Sequence, residues 1–93
     1  MNHTLPINIF ITINDVAIMV QYKTGQTVRY KPVGGPDSNT SESTGRITDV
    51  LTEPGVQADR NVQASSDEPR YEIQNDNTGK LTTVYEKNIL GTA

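Results

Sequence analysis

The chain has no cysteine, no tryptophan, a single histidine and a single phenylalanine. Without cysteine there is neither a disulfide framework nor a thiolate metal site. Small secreted domains lean on disulfides, so the expectation is an intracellular protein, cytoplasmic or nuclear. The lone histidine, His3, sits near the N-terminus, which leaves no basis for a Ser/His/Asp or Cys/His arrangement. No run reaches the ~20 apolar residues of a membrane-spanning helix. The apolar stretch from Leu5 to Val20 is interrupted by Asn8, Asn14 and Asp15, and no Lys or Arg precedes it, so it does not read as a secretory signal. Without secretion, the glycosylation patterns at Asn2 and Asn39 carry no weight. No Gly-rich loop opens a helix to cradle phosphate, and Asp76-Asn77-Thr78-Gly79 is too short for a calcium loop. No cofactor, metal or membrane partner is expected, and the chain reads as non-enzymatic.

Basic residues are also scarce: 8 Lys and Arg stand against 11 Asp and Glu, for a net charge of -3. Their distribution is uneven. Residues 1–21 carry Asp15 alone. Residues 22–46 are net basic through Lys23, Arg29, Lys31 and Arg46. Residues 47–93 are strongly acidic. Nucleic-acid affinity grows with the number of phosphates neutralised, so this balance disfavours nucleic acid and leaves only a local basic stripe of Arg29, Lys31 and Arg46.

What the chain does have is β-branched residues in short alternating runs. Ninety-three residues make one small domain. With hydrophobic residues at 33% of the chain, its core must be assembled from few side chains. Ile7, Ile9, Ile11 and Ile13 fall on one face of a strand. Asn14-Asp15 suits a tight turn, and Val16 to Tyr22 reads as the returning strand, so 7–22 is expected to form a hairpin. Thr24-Gly25-Gln26 is a turn. Thr27 to Lys31 is a strand with Val28 and Tyr30 facing in and Arg29 and Lys31 facing out. Residues 32–44 form a long polar loop. Gly45 to Leu51 is the next strand, and its Ile47-to-Val50 spacing predicts a bulge or bend. Residues 52–61 read as a second polar loop around Pro54-Gly55. Arg70 to Gln74 alternates with Tyr71 and Ile73 inward. Asp76 to Gly79 is a four-residue hairpin loop, Lys80 to Tyr85 pairs back, and Glu86 to Leu90 is a short closing turn or strand. Short, bent strands after residue 22 favour a small barrel over a flat sheet, which would leave edges and an apolar face exposed.

Four segments resemble, in order, the hypervirulence-associated TUDOR-domain family: Gly25-Gln26-Thr27-Val28-Arg29-Tyr30-Lys31, Gly45-Arg46-Ile47, Ala64-Ser65-Ser66-Asp67-Glu68-Pro69-Arg70-Tyr71-Glu72-Ile73, and Asn75-Asp76-Asn77-Thr78-Gly79-Lys80. The resemblance implies an SH3-like, Tudor-type barrel with no enzymatic activity. It covers residues 24–90, so the division expected is a β extension over 1–22 and a barrel over 23–93. The last strand, Leu81-Thr82-Thr83-Val84-Tyr85, departs from relatives that carry a small-residue pair followed by histidine. Within the central motif, Pro69 fixes φ and holds Glu68 extended, and Asp67 or the serines are placed to cap the preceding turn.

The candidate sites follow from these placements. Tyr30, Tyr71 and Tyr85 could supply ring faces for a methylated cation, with Glu72 as its counter-charge, although a core this small also needs aromatic bulk. Arg29, Lys31 and Arg46 form the candidate nucleic-acid stripe. The isoleucine face of Ile7, Ile9, Ile11 and Ile13 has no place inside a barrel closed by residues 24–90, which makes it the candidate self-association surface. A protein-interaction module, self-associating or binding another protein, is the function expected, ahead of a nucleic-acid-associated barrel and a methyl-lysine or methyl-arginine reader.

Overall fold

The computed structural model describes residues 9–13, 16–34 and 37–93. Among the described residues, every regular element is a strand except one 3-10 turn. Strands β1 (Ile9–Ile13) and β2 (Val16–Val20) pair antiparallel, with Ile9 opposite Val20 and Ile13 opposite Val16, and form a two-stranded sheet of their own. His3, Ile7 and the Asn14-Asp15 turn lie outside the described residues.

The main sheet has five antiparallel strands. They are β3 (Thr27–Tyr30), β4 (Ser43–Leu51), β7 (Arg70–Asn75), β8 (Leu81–Tyr85) and β9 (Ile89–Thr92), in the spatial order β8-β7-β4-β3-β9. Strands β8 and β9 therefore sit at opposite edges, yet the 3-10 turn Glu86–Asn88 is all that joins them. Four inter-strand steps would separate these edges by about 19 Å in a flat sheet. A 3-10 turn advances only ~2 Å per residue. The connection forces the sheet to curl until its edges approach, and the result is a small barrel. The bend is built into β4. Ile47 lies opposite Ile73 and Asp49 opposite Glu72, so Thr48 is the extra residue of a bulge.

Inside the curl lie Val28, Tyr30, Ile47, Tyr71, Ile73, Val84 and Ile89, all buried, with Tyr22 and Val50 packed against them. Val28, Tyr30, Tyr71 and Ile73 face in as the alternation predicts. Gly45 is needed for close approach: a Cβ there would stand 2.5 Å from the Gln74 carbonyl oxygen and 2.6 Å from Ile73 Cγ2. The Asp76–Gly79 loop uses its turn chemistry as expected. Asn75 Oδ1 accepts from the Asn77 and Thr78 N–H groups, and Gly79 adopts φ 74°.

One expectation is corrected. Residues 52–61 are not a loop. They contain β5 (Gly55–Gln57), which pairs with β6 (Arg60–Val62) across a turn at Ala58 and Asp59. Both turn residues have positive φ, 49° and 59°, without being glycine. The strands are short and Val56 points outward at 62% exposed, so there is no alternation to read. The hairpin is held from outside its own sequence. The Glu72 carboxylate accepts from the Ala58 N–H at 2.6 Å and from the Thr48 hydroxyl at 2.7 Å. The remaining differences are at boundaries: the polar loop ends at Glu42, and Glu86–Asn88 is the 3-10 turn before β9. Ser65, rather than Asp67, caps its turn, its hydroxyl accepting from the Glu68 N–H at 3.1 Å.

Candidate functional site

Arg70 and Tyr85 lie directly opposite each other on β7 and β8. Pro69, itself buried, sets the entry into β7. The Arg70 guanidinium carbon lies 4.2 Å from the centroid of the Tyr85 ring, a stacked cation–π contact. Below this stack is a hydrogen-bond chain. Arg70 Nε donates to Thr83 Oγ1 at 3.0 Å, and Nη2 donates to the Thr83 carbonyl at 3.5 Å. The Thr83 hydroxyl donates to Gln57 Oε1 at 2.6 Å. Gln57 Nε2 then donates to the Arg70 carbonyl at 3.1 Å and to Asp49 Oδ2 at 3.2 Å. Gln57 is 1% exposed, and no buried side-chain polar atom lacks a partner among the described residues. A fully satisfied network of this kind fixes its members, so Arg70 is held rather than merely exposed.

Beside Tyr85, Tyr71 is wholly buried and donates its hydroxyl to Glu86 Oε1 at 2.7 Å. Burial above all, then the hydrogen bond to Glu86 and the charge of that carboxylate, raises the Tyr71 pKa far above its ordinary value. Tyr22 meets Tyr71 edge to face, with centroids 5.9 Å apart. Its own pKa is raised by burial and by Glu86, with Arg29 opposing.

Three clefts share the Tyr85 side chain. One, of about 390 Å³, places Tyr22, Pro69 and Ile89 beside the carboxylates of Asp67, Glu68 and Glu86, with Lys87 also on its wall. Another, of about 400 Å³, is lined by Arg70, Lys87, Thr83, Asn88 and the exposed Pro32 and Val33, with no acidic residue. A smaller hollow of about 200 Å³ runs past Gln63 and Ser65. Tyr85 and Lys87 thus form a ridge between a recess with three carboxylates and one with none.

The residues singled out from sequence are not gathered at one site. Tyr30 (2% exposed) and Tyr71 (0%) are core side chains, and the Tyr30 hydroxyl accepts from Asn75 Nδ2 at 3.0 Å. Tyr85 is half-buried, with one face taken by Arg70. Glu72 is committed to Thr48 and Ala58. Within the basic stripe, Arg29 pairs with Glu42 at 3.6 Å, Lys31 Nζ donates to the Ser38 carbonyl at 2.8 Å, and Arg46 is exposed between Thr27 and Gln74. The side chains of Ile9, Ile11 and Ile13 lie outside the described residues. Sequence reasoning missed Arg70, Gln57, Thr83 and Lys87 as a unit. The signal available was the cross-strand register of Arg70 with Tyr85, two residues beyond Thr83 on the same outer face.

A curled five-stranded sheet closed by a 3-10 turn is a small barrel of the SH3-like, Tudor type. The family model for the TUDOR domain of hypervirulence associated proteins matches residues 25–89, and the chain belongs to that family. Tudor-type domains generally mediate protein interactions and are typically non-catalytic. The chain is also similar to a Schizosaccharomyces pombe protein named "Putative primary metabolism protein prl65", with 45% identity over 71 residues, covering 76% of this chain and 92% of that one. No solved structure matches the chain significantly. Among the described residues there is no cluster of three or more His, Asp or Glu side chains able to hold a metal ion, and no helix long and apolar enough to cross a membrane.

Proposed function

We propose that this chain is a non-enzymatic protein-interaction module that presents the Tyr85 ridge to a segment of a partner protein. The observation that carries the reading is the convergence of three clefts on one half-buried, internally braced tyrosine. Amphipathic rings of this kind suit interface anchors, since they offer a large contact area at little conformational cost. A photo-cross-linking side chain in place of the exposed Gln63, compared with one in place of the exposed Asn77, tests it in extracts of the native cell. Discrete adducts from position 63 alone are expected. Equal or absent adducts at both positions count against the ridge.

Self-association is the second reading, resting on the alternating Ile7, Ile9, Ile11 and Ile13. Its support is that, among the described residues, β1 and β2 pair only with each other, and an isolated two-stranded sheet is marginal without something to pack on. It treats residues 1–22 as an extension of a barrel over 23–93. Light scattering on the full chain and on one beginning at Lys23 is the test: a lower-order species after truncation supports assembly, and equal masses remove it.

The nucleic-acid and methyl-reader readings have less behind them. Arg29 is offset by Glu42 and Lys31 is engaged with a loop carbonyl, so the phosphate-neutralising term is small. A cage built on Tyr30 and Tyr71 would need both rings to leave the core.

A further inference from the structure

We propose that the recess between Arg70 and Lys87 binds the side-chain carboxylates of an acidic segment in a partner protein, a reading that rests on the interaction-module function above. The recess holds two cations and no acid, in a chain whose net charge is -3. Among the described residues, neither Arg70 nor Lys87 has a carboxylate within ion-pair distance; the ion pair present is Arg29 with Glu42. Lys87 Nζ lies 6.0 Å from the centroid of the same Tyr85 ring on which Arg70 stacks at 4.2 Å. Two like charges brought to one ring repel each other; Lys87 also borders the cleft of Asp67, Glu68 and Glu86, whereas Arg70 does not line that cleft.

The Arg70 fork is ready for use. Nε and Nη2 are fixed by Thr83, and the ring holds the guanidinium plane, so the remaining N–H groups are pre-aimed. A planar guanidinium with free donors matches a carboxylate or a phosphate oxygen pair. Two observations favour the carboxylate of a protein segment. The neighbouring recess shares Tyr85 and Lys87 and carries Asp67, Glu68 and Glu86, which repel a run of phosphates continuing over the ridge more than one carboxylate seated at Arg70. The basic recess is also walled by Val33, 67% exposed, beside Pro32. That wall suits an apolar side chain adjoining the acid, and a phosphate backbone offers none. The recognised element is therefore an acidic residue next to an apolar one.

The test uses the full 15N-labelled chain and the tripeptide acetyl-Glu-Val-Glu-amide, followed by NMR, with acetyl-Lys-Val-Lys-amide and inorganic phosphate as controls. The expected result is saturable shifts at Arg70, Thr83 and Lys87 with the acidic peptide only. Lys87→Glu, an exposed change that leaves the fold alone, weakens binding on the order of five- to tenfold, twice the scale of an exposed ion pair because the charge is reversed. Arg70→Gln weakens it at least as much. Tighter binding of phosphate at the same signals assigns the recess to phosphate and overturns the proposal. So does a preference for the basic peptide, an absence of shifts, or concentration-dependent shifts of the same signals without peptide, which would make a second copy the occupant. If cross-linking from position 63 captures a partner while Lys87→Glu leaves peptide binding unchanged, the module reading survives and the carboxylate assignment alone falls.

Discussion

The barrel has two groups of cations, and they differ in what the fold does with them. Arg29, Lys31 and Arg46 are close in sequence or on adjacent strands, and they read as a stripe. Arg70 and Lys87 are far apart in sequence and read as nothing in particular. In the structure the first group is partly consumed: Arg29 pairs with Glu42, and Lys31 reaches a loop carbonyl. The second group meets around the Tyr85 ring with no acidic partner among the described residues. Proximity along the chain predicts where charges cluster, but availability is decided by which neighbours the strand register supplies.

The comparison can be broken or sharpened at several places. The largest expected effect is indiscriminate. Ile73 is fully buried between both regions, so Ile73→Ala costs about 2–5 kcal/mol; urea denaturation reads the loss, and both groups of cations should lose their environment together. Gln57→Ala is selective. It leaves the Thr83 hydroxyl and the Arg70 carbonyl short of a partner, at a cost of roughly 1–3 kcal/mol. Arg70 Nε–H should broaden or shift in NMR spectra of this variant, while the signals of Arg29 stay put. Equal disturbance at both would deny that Gln57 braces only the Tyr85 side.

Alkaline pH acts on the Tyr85 side as well. Tyr71 and Tyr22 both have folded pKa values above the ordinary 10.0, in each case chiefly through burial. A group that holds its proton more tightly when folded contributes stability in full below the unfolded value and loses it as pH rises beyond it. Thermal unfolding followed above pH 10.0 should therefore show stability falling, and Tyr71→Phe should blunt the fall. An unchanged slope in that variant would show that Tyr71 is not the group responsible. The smallest effect belongs to the basic stripe: the Arg29–Glu42 pair is 43% and 44% exposed, so Arg29→Ala should cost no more than about 1 kcal/mol, declining further with added salt.

How far the fold was legible depended on whether its signals were local. Val28, Tyr30, Tyr71 and Ile73 alternate with their neighbours, and each faces inward because a strand's period of two leaves no other choice once one face is apolar. Asn75 and Gly79 fixed their hairpin loop through side-chain and φ preferences that act within four residues. The Ile47-to-Val50 spacing marked the bulge at Thr48. The β5–β6 hairpin was illegible because its turn runs through Ala58 and Asp59, and what holds it is Glu72, from a strand further along the chain. The same holds for the candidate site. Glu72 and the tyrosines were visible as residue types, but whether a carboxylate faces solvent or clamps a turn is not a property of its own segment.

The sequence by itself determined the β character, the five main-sheet strands, the tight turns and the family, since each rests on side-chain periodicity, backbone preference or a contiguous motif. Only the tertiary structure decided that Tyr30 and Tyr71 are spent on the core, that Glu72 is spent on the Ala58 turn, and that Tyr85 and Lys87 stand between a recess with three carboxylates and one with none. Those outcomes depend on contacts between separate hairpins: β5–β6 lays Gln57 against Thr83 and Arg70 and Ala58 against Glu72, and no segment's own preferences encode those meetings.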